Sequence, residues 1–238
     1  MPTLRAGPFV ATVSLVALGL AAAVLLARTP PAAEAAPCPS PVSSFSAGTI
    51  TIQGDPSCAF NDEDFRVYCD GSVKFDYVVN GVQAISGNDT GVACGTPTRI
   101  HVIGNGGDDN IDLSSVTPGN GFTAIAQNQV EGGFQNDTVL GSAFADLISG
   151  GDGRDFLAGG PGADTVAGGA GNDLLALRDG TGDSADCGDG FDGAQADQAS
   201  LDSVANCEIT DRSPEPAKKK CRKKHGKKRH CKKRHAAT

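Results

Sequence analysis

A nine-residue repeat between residues 132 and 176 constrains the fold of this 238-residue chain more than any other feature. Five contiguous repeats share one register, the last three reading GGDGRDFLA, GGPGADTVA and GGAGNDLLA, and a sixth copy occupies 104–112. Position 6 is always Asp: Asp109, Asp137, Asp146, Asp155, Asp164 and Asp173. Position 8 is always aliphatic: Ile111, Val139, Ile148, Leu157, Val166 and Leu175. So strict a period predicts stacked units that bury their apolar faces only against one another.

Each repeat has the composition of a tight turn followed by a short strand. The glycines allow positive φ angles, and the residues around position 8 form a strand with one inward aliphatic side chain. Stacking such strands in parallel brings the Asp carboxylates of successive turns to about 4.8 Å, where each pair repels by roughly 3–4 kcal/mol at an effective dielectric of 20. A cation with six to eight oxygen ligands removes this repulsion, and Ca²⁺ suits such a site better than Mg²⁺ or Zn²⁺.

The pattern therefore predicts an all-β fold, a parallel β-roll or β-helix solenoid with a column of Ca²⁺ ions along its stacked turns. Two other interpretations remain at this stage. A Gly-rich flexible linker has no physical reason to keep an aliphatic residue at one position of six repeats. A metal-free solenoid with solvated Asp turns would have to tolerate the repulsion between carboxylates.

The motif GG-x-G-x-D-x-U-x, where U is aliphatic, resembles the repeat-in-toxin (RTX) family of hemolysin-type calcium-binding repeats over 104–112 and 132–176. The resemblance implies that two nonapeptides make one coil and that Ca²⁺ lies between turns one coil apart. One turn would supply its Asp and the carbonyls of positions 2 and 4. The next turn would supply its Asp and the carbonyls of positions 1 and 3.

Three sets of ligands follow from this resemblance. The first set is Gly151, Gly153, Asp155, Gly168, Ala170 and Asp173. The second set is Ser142, Phe144, Asp146, Gly159, Pro161 and Asp164. The third set is Gly133, Gln135, Asp137, Gly150, Asp152 and Asp155. Gln135 and Phe144 occupy positions where the family has Gly, so the sets that contain them depart furthest from the motif.

The repeat register slips by one residue after Ala176 and then weakens. Asp183, Asp192 and Asp202 follow at intervals of 9 and 10 residues. We interpret 104–176 as the calcium-binding repeats and 177–212 as a degenerate C-terminal cap of the same solenoid, with Asp183 as a further metal ligand. The segment resembles the C-terminal cap of secreted RTX-like proteins, and this resemblance implies a disulfide between Cys187 and Cys207.

The segment 48–103 carries strand-like runs separated by turn residues: TITI (49–52), FRVY (65–68), VKFDYVV (73–79) and RIHVI (99–103). We interpret it as an irregular beginning of the same solenoid that lacks the Asp code, and a separate small β-domain is the alternative. The interval 113–131 has room for two decayed repeats. With 10 Phe, 2 Tyr and no Trp, the composition predicts a thin aliphatic core.

The N-terminal sequence indicates export. Arg5 precedes an apolar run at 9–27, and small residues suit cleavage after Ala35, so 1–35 is predicted to be a signal peptide and 36–47 a linker. An uncleaved membrane anchor is the alternative, because the run is longer than most signal cores. Secretion into an oxidising, calcium-rich exterior would suit the 8 Cys as disulfides.

The charge of the chain is divided between two regions. Residues 50–212 contain 26 acids and 6 bases, whereas 213–238 contain 12 Lys or Arg and one Glu. We expect 213–238 to be a disordered basic tail that binds anionic cell-surface polymer or lipid, without specific recognition of nucleic acid. Attraction between this tail and the acidic solenoid is a further interpretation. Cys221, His225, Cys231 and His235 could also hold Zn²⁺, although the surrounding positive charge opposes a divalent cation.

The sequence offers little support for catalysis. His101 is the one histidine outside the tail, and the repeat code accounts for most carboxylate pairs as metal ligands. We therefore expect an exported, non-enzymatic, monomeric Ca²⁺-binding protein. The competing classes are a structural or adhesive surface solenoid without essential metal and a polysaccharide-acting β-helix enzyme.

Overall fold

The computed structural model describes residues 41–54, 62–79, 82–212, 221–222 and 230–231, all within one unit, Cys38–Thr238. The predicted signal peptide, residues 36–40 of the predicted linker and most of the basic tail, including His225 and His235, lie outside the described residues. Among the described residues, no helix has the length and hydropathy that crossing a bilayer requires.

The strands are numbered in chain order. They are β1 (Val42–Ser46), β2 (Thr49–Gln53), β3 (Glu63–Asp70), β4 (Ser72–Val79), β5 (Val82–Ala93), β6 (Arg99–Gly106), β7 (Asn110–Asp112), β8 (Asn128–Phe134), β9 (Thr138–Leu140), β10 (Asp146–Asp152), β11 (Phe156–Ala158), β12 (Thr165–Ala170), β13 (Leu174–Ala176), β14 (Ser184–Asp189), β15 (Gly193–Ala196), β16 (Ser203–Ala205), β17 (Ile209–Arg212), β18 (Cys221–Arg222) and β19 (His230–Cys231).

Two parallel sheets form a β-roll, as the repeat period predicts. Sheet 1 has the order β1-β2-β6-β8-β10-β12-β14-β16, and sheet 2 has the order β17-β15-β13-β11-β9-β7-β3-β4-β5. From β6 to β17, consecutive strands alternate between the two sheets, so each coil contributes one strand to each. The short strands β18 and β19 pair with each other.

The register within the repeats is one coil of eighteen residues. Leu147 pairs with Thr165 in sheet 1, and Phe156 pairs with Leu174 in sheet 2. In the cap Thr165 pairs with Ser184, so the one-residue slip after Ala176 is absorbed without loss of pairing. The two sheets differ in strand length, because sheet 1 strands continue into the glycines that begin the next repeat.

The N-terminal strands continue both sheets and then leave the coil pattern. β2 pairs in parallel with β6, and β3 pairs in parallel with β7. β1 and the β4–β5 hairpin are antiparallel additions. The sequence pattern predicted β4 as a strand, but it did not predict β5 or the antiparallel pairing, and β1 lies in the segment 36–47 that was predicted to be a linker. The interval 113–131 holds one decayed repeat, with Asn128 at position 6 and Val130 at position 8. The other predicted decayed repeat is a loop with a short 3-10 turn, Pro118–Asn120.

The core of the repeats is the predicted column of aliphatic side chains. Each position-8 residue from Ile111 to Leu175 is at most 1% exposed. The N-terminal end differs, because Phe65, Phe75 and Tyr77 are buried there and the Phe65 and Tyr77 rings lie 5.2 Å apart. The fold therefore combines a thin aliphatic column with a wider, aromatic-containing end.

Two disulfides link parts of the described chain that are distant in sequence. Cys69, at the end of β3, is bonded to Cys94. Cys187 is bonded to Cys207, the pair that the family resemblance implied. One disulfide therefore lies in the N-terminal half and the other in the cap.

Adjacent leucines of β13 provide a test of the core column. Leu175 is fully buried, whereas Leu174 is 39% exposed. In saturating Ca²⁺, Leu175→Ala should lower the free energy of unfolding by about 2–5 kcal/mol, because it leaves a cavity in the column. Leu174→Ala should cost less than about 1 kcal/mol. Urea denaturation measures both, and equal losses would contradict the assignment of the core.

Candidate metal centre

The position-6 aspartates form two columns on opposite sides of the roll. In column 1 the turns carry the chain from sheet 1 to sheet 2, and in column 2 they carry it from sheet 2 back to sheet 1. Column 1 contains Asp109, Asp137, Asp155, Asp173 and Asp192. Column 2 contains Asp146, Asp164, Asp183 and Asp202. All nine side chains are at most 4% exposed.

A hydrogen-bond ladder joins the aspartates of each column. The backbone N–H of one Asp donates to Oδ1 of the Asp in the next turn of the same column. The N to Oδ1 distance is 2.8 Å from Asp137 to Asp155 and 2.9 Å from Asp155 to Asp173. The ladder fixes each carboxylate against the preceding turn of the same column, so one oxygen of each carboxylate is already hydrogen bonded to protein.

The other carboxylate oxygen, Oδ2, has no hydrogen-bond partner within the described residues at most positions of the two columns. It is buried and unpartnered in Asp109, Asp137, Asp155, Asp164, Asp173, Asp183 and Asp192. Burying a polar atom without a partner is costly, and a buried charge costs more. These oxygens therefore define places where a cation would stabilise the fold.

Backbone carbonyls converge on the same places. A Cβ atom added to Gly132 would lie 2.3 Å from Asp137 Oδ2 and 2.7 Å from the carbonyl oxygen of Gly150 in the next turn. Gly150 repeats the arrangement, with Asp155 Oδ2 at 2.2 Å and the Gly168 carbonyl oxygen at 2.7 Å. The orphaned carboxylate oxygen of one turn thus lies close to the position-1 carbonyl of the next turn.

Carbonyls at positions 2 and 4 face the following turn. A Cβ added to Gly151 would lie 2.0 Å from the Gly133 carbonyl oxygen, and one added to Gly153 would lie 1.8 Å from that of Gln135. Both glycines have positive φ, +122° and +155°, so the motif needs Gly there for conformation as well as for space. Gln135, at position 4 of its repeat, also has a positive φ, +75°, so a residue other than Gly occupies the left-handed region there.

The position-3 carbonyls are partly engaged by protein. The Ala170 carbonyl accepts a hydrogen bond from Gly153 N at 2.7 Å, and the Asp189 carbonyl accepts one from Gly171 N at 2.7 Å. A carbonyl oxygen has two lone pairs, so each keeps one for another partner. We call the space between two successive turns of one column a gap. Asp152, at position 3 of the third ligand set, has an exposed side chain, so its carbonyl is the group that can act as a ligand in the gap.

Asp146 departs from the other aspartates of the columns. Its Oδ2 accepts a hydrogen bond from Ser142 N at 2.6 Å, and its Oδ1 accepts bonds from Ser142 Oγ at 2.9 Å and Asn128 Nδ2 at 3.0 Å. Protein donors therefore satisfy both oxygens. In the second ligand set Asp146 therefore lacks the orphaned oxygen that Asp155 and Asp137 have at the same place in the first and third sets, and only Asp164 keeps one.

The structure adds residues to the columns that the repeat motif did not assign as ligands. Asp192 has the same buried, unpartnered Oδ2 as the repeat aspartates, although its turn follows the slip in register. Glu63 continues column 1 beyond Asp109, because its backbone N–H donates to Asp109 Oδ1 at 2.8 Å. The interval of nine residues from Asp183 to Asp192 was the available signal for Asp192, whereas nothing in the sequence indicated Glu63.

Burial raises the pKa of the column carboxyls well above their ordinary value. The pKa is raised to about 8 for Asp137, about 7 for Asp109 and Asp164, and about 6 for Asp155 and Asp183. Loss of hydration is the largest cause, and nearby carboxylates add to it. The backbone N–H that donates to each carboxylate opposes the shift. The metal-free columns therefore favour protonated carboxyls.

The donors of the gaps fit Ca²⁺. The described part of the chain contains no cluster of three or more His, Cys, Asp or Glu side chains that could hold a metal ion. In the spaces between turns, backbone carbonyls lie beside the Asp carboxylates. Two carboxylates and several carbonyls form an all-oxygen set, which Ca²⁺ accepts with variable geometry. Zn²⁺ prefers nitrogen and sulfur ligands, and Mg²⁺ demands a near-ideal octahedron.

Comparison with known families agrees with this geometry. The model of the RTX calcium-binding nonapeptide repeat (4 copies) matches residues 131–166 and 140–175. No curated protein and no solved structure matches the chain. The matched span therefore carries RTX repeats, whose ion is Ca²⁺, and the protein is a calcium-binding β-roll.

The raised pKa values predict opposite pH dependence with and without calcium. Folded-state pKa values of about 6 to 8, against an ordinary 3.8, mean that the folded state binds protons more tightly than the unfolded state. Without metal, this contribution to stability is complete below pH about 4 and is lost as the pH rises through about 6 to 8. Because Ca²⁺ binds deprotonated carboxylates, its affinity should rise over the same range.

Circular dichroism of the whole chain, in buffers freed of metal by a chelating resin, tests this prediction. Raising the pH from about 5 to about 8 should reduce β-structure in the calcium-free protein and increase thermal stability in the calcium-loaded protein. Higher calcium-free stability at the alkaline end would contradict the assigned environment of the columns.

Proposed function

We propose that the protein is an exported, non-enzymatic calcium-binding protein whose repeats fold when Ca²⁺ occupies the gaps between turns. The observation that carries this proposal is the buried carboxylate oxygen left without a partner in turn after turn. Such an oxygen, beside a carbonyl of the next turn, destabilises the metal-free coil and stabilises the loaded one.

The proposed ions lie in the gaps that have orphaned oxygens. In column 1 these gaps run from Asp109 to Asp192 and include the first and third ligand sets. In column 2 they begin at Asp164 and include Asp183. The second ligand set is not proposed as a site, because Ser142 and Asn128 already satisfy the Asp146 carboxylate.

Binding is coupled to folding because each gap joins residues one coil apart. Such a site does not exist in the unfolded chain, so the binding free energy becomes folding free energy. With Ca²⁺ a hundredfold above the dissociation constant, one site adds about 2.7 kcal/mol. A few sites equal the roughly 5–15 kcal/mol stability of a typical domain. Calcium would therefore decide whether the coils form.

Asp155→Asn tests this coupling with little change in shape. The amide keeps an oxygen that can accept the N–H of Asp137, but it removes the charge from a residue that borders two gaps. We expect the Ca²⁺ midpoint for gain of β-structure to rise on the order of tenfold, equivalent to about 1.4 kcal/mol. Asp189→Asn is the matched control, because Asp189 lies in a later turn with an exposed side chain, and it should shift the midpoint little.

Circular dichroism gives the midpoint, and calorimetry gives the heat of binding. Mg²⁺ at equal concentration should restore little structure. Identical spectra with excess chelator and with Ca²⁺, without binding heat, would favour the metal-free solenoid instead.

Two observations support a non-enzymatic, extracellular role. His101 pairs with Glu131, its Nε2 lying 2.9 Å from Glu131 Oε1, as a residue of strand β6 in the solenoid. The two described disulfides suit an oxidising environment, as does the predicted signal peptide. RTX repeats are typical of extracellular proteins, and such environments often supply abundant Ca²⁺.

The basic tail is proposed to attach the roll to anionic polymer or lipid. Its net charge of +11, from 12 bases and one acid, contrasts with the acidic described region. Full-length protein should be retained on an anionic matrix at low salt more strongly than a variant lacking 213–238. The difference should vanish near molar salt, where the screening length is about 3 Å. Equal retention at low salt, both proteins being calcium-loaded, would argue against this role.

A further inference from the structure

The turn that precedes Asp146 in column 2 differs from the turns whose Asp has an orphaned oxygen. Position 6 of this turn is Asn128, which is fully buried. Its side-chain Oδ1 accepts the N–H of Ile100 at 3.0 Å, as an Asp would in the same place. Its Nδ2 donates to Ser142 Oγ at 2.9 Å and to Asp146 Oδ1 at 3.0 Å. The N–H groups of the Asn128 side chain therefore stabilise the Asp146 carboxylate, as a cation would in the other gaps.

Ser142 completes the network around Asp146. Its backbone N–H donates to Oδ2, and its hydroxyl contacts Oδ1. Asn128, Ser142 and Asp146, which we name the amide clamp, are each at most 1% exposed. The clamp contains one carboxylate instead of two, so the repulsion that opposes metal-free stacking elsewhere is absent. A buried polar network with all its members hydrogen bonded favours one rigid arrangement.

The clamp lies next to the part of the molecule with the most conventional core. β8, which begins at Asn128, pairs with β6 on one side and with β10 on the other. Toward the N-terminus, the sheets contain the buried aromatic residues and the Cys69–Cys94 disulfide. On the column 1 side of the same coils, Asp109 and Asp137 keep unpartnered oxygens. The coils next to the clamp are therefore stabilised by the clamp in column 2 and by the aromatic-containing core.

We propose that the amide clamp keeps the N-terminal coils folded without calcium and makes them the template on which the calcium-dependent coils assemble in order toward the C-terminus. This inference rests on the calcium-coupled folding proposed above. A preformed edge, β9 and β10, lets the next coil order about eighteen residues against an existing surface instead of nucleating a roll from an unfolded chain. Calcium binding then adds the later coils, one after another, to the coils that the clamp keeps folded.

Hydrogen exchange of the whole chain, followed by mass spectrometry, tests the order of assembly. In calcium-free buffer, peptides from 62–79 and 99–149 should remain protected, while peptides from 156–212 should exchange as if unfolded. Raising Ca²⁺ should then protect 156–176 before 184–212. Uniform exchange of all peptides without calcium, or protection that begins at the cap, would overturn the template. Protection that is complete without calcium would instead overturn the proposed coupling itself.

Asn128→Asp examines the clamp directly. The substitution removes the Nδ2 donor and places a second carboxylate against Asp146. Without calcium, peptides from 99–149 should lose their protection, and with saturating Ca²⁺ it should return. Asn120→Asp is the matched control, because Asn120 is exposed in the loop between β7 and β8, where its Nδ2 donates to the Ser115 carbonyl outside both columns, and it should leave the protection of the strands in 99–149 unchanged. Equal protection of the two variants without calcium would show that the clamp does not hold this region.

Should Asn128→Asp fail to fold even with calcium, Ser142→Ala provides the second test. It removes only the hydroxyl, while the backbone N–H of Ser142 still reaches Asp146 Oδ2. We expect partial loss of protection in 99–149 without calcium and full protection with it. Unchanged exchange in calcium-free buffer would count against the clamp.

Discussion

The hydrogen bond from the backbone N–H of one aspartate to Oδ1 of the aspartate one turn later is the interaction on which the roll depends. It orients each carboxylate so that one oxygen supports the preceding turn and the other is held in the interior between coils. Where these turns contain glycine at position 1, an added Cβ would enter the space that this second oxygen and the neighbouring carbonyls occupy. Turn shape, glycine content and cation binding are thus consequences of a single contact.

The sequence was sufficient where the structure repeats itself. Position 8 predicted the buried column from Ile111 to Leu175, and position 6 predicted which carboxylates stack, because both are dictated by a local period. The eighteen-residue coil came from the family resemblance, and the pairing of Leu147 with Thr165 follows it. The four strand-like runs upstream also correspond to β2, β3, β4 and β6.

The sequence was insufficient where contacts cross between coils. Asp146 holds the same repeat position as Asp164, yet Asn128 from the preceding coil and Ser142 from its own turn satisfy both its oxygens, whereas nothing among the described residues satisfies Asp164 Oδ2. Glu63 joins column 1 through a bond to Asp109 that spans 46 residues. β1 and β5 have no strong periodicity, and their antiparallel pairing depends on neighbours that the local sequence does not specify. Long-range partners, rather than local preference, account for these differences.

The ladder of each column runs along the axis of the roll, and this direction has a mechanical consequence. When the two ends of such a molecule are pulled apart along this axis, the gaps between coils are in series, so every gap bears the same force. The molecule is then only as strong as its weakest gap, and adding further pairs of nonapeptides would lengthen it without strengthening it. Resistance to extension would therefore follow the calcium occupancy of the poorest gap instead of the number of repeats.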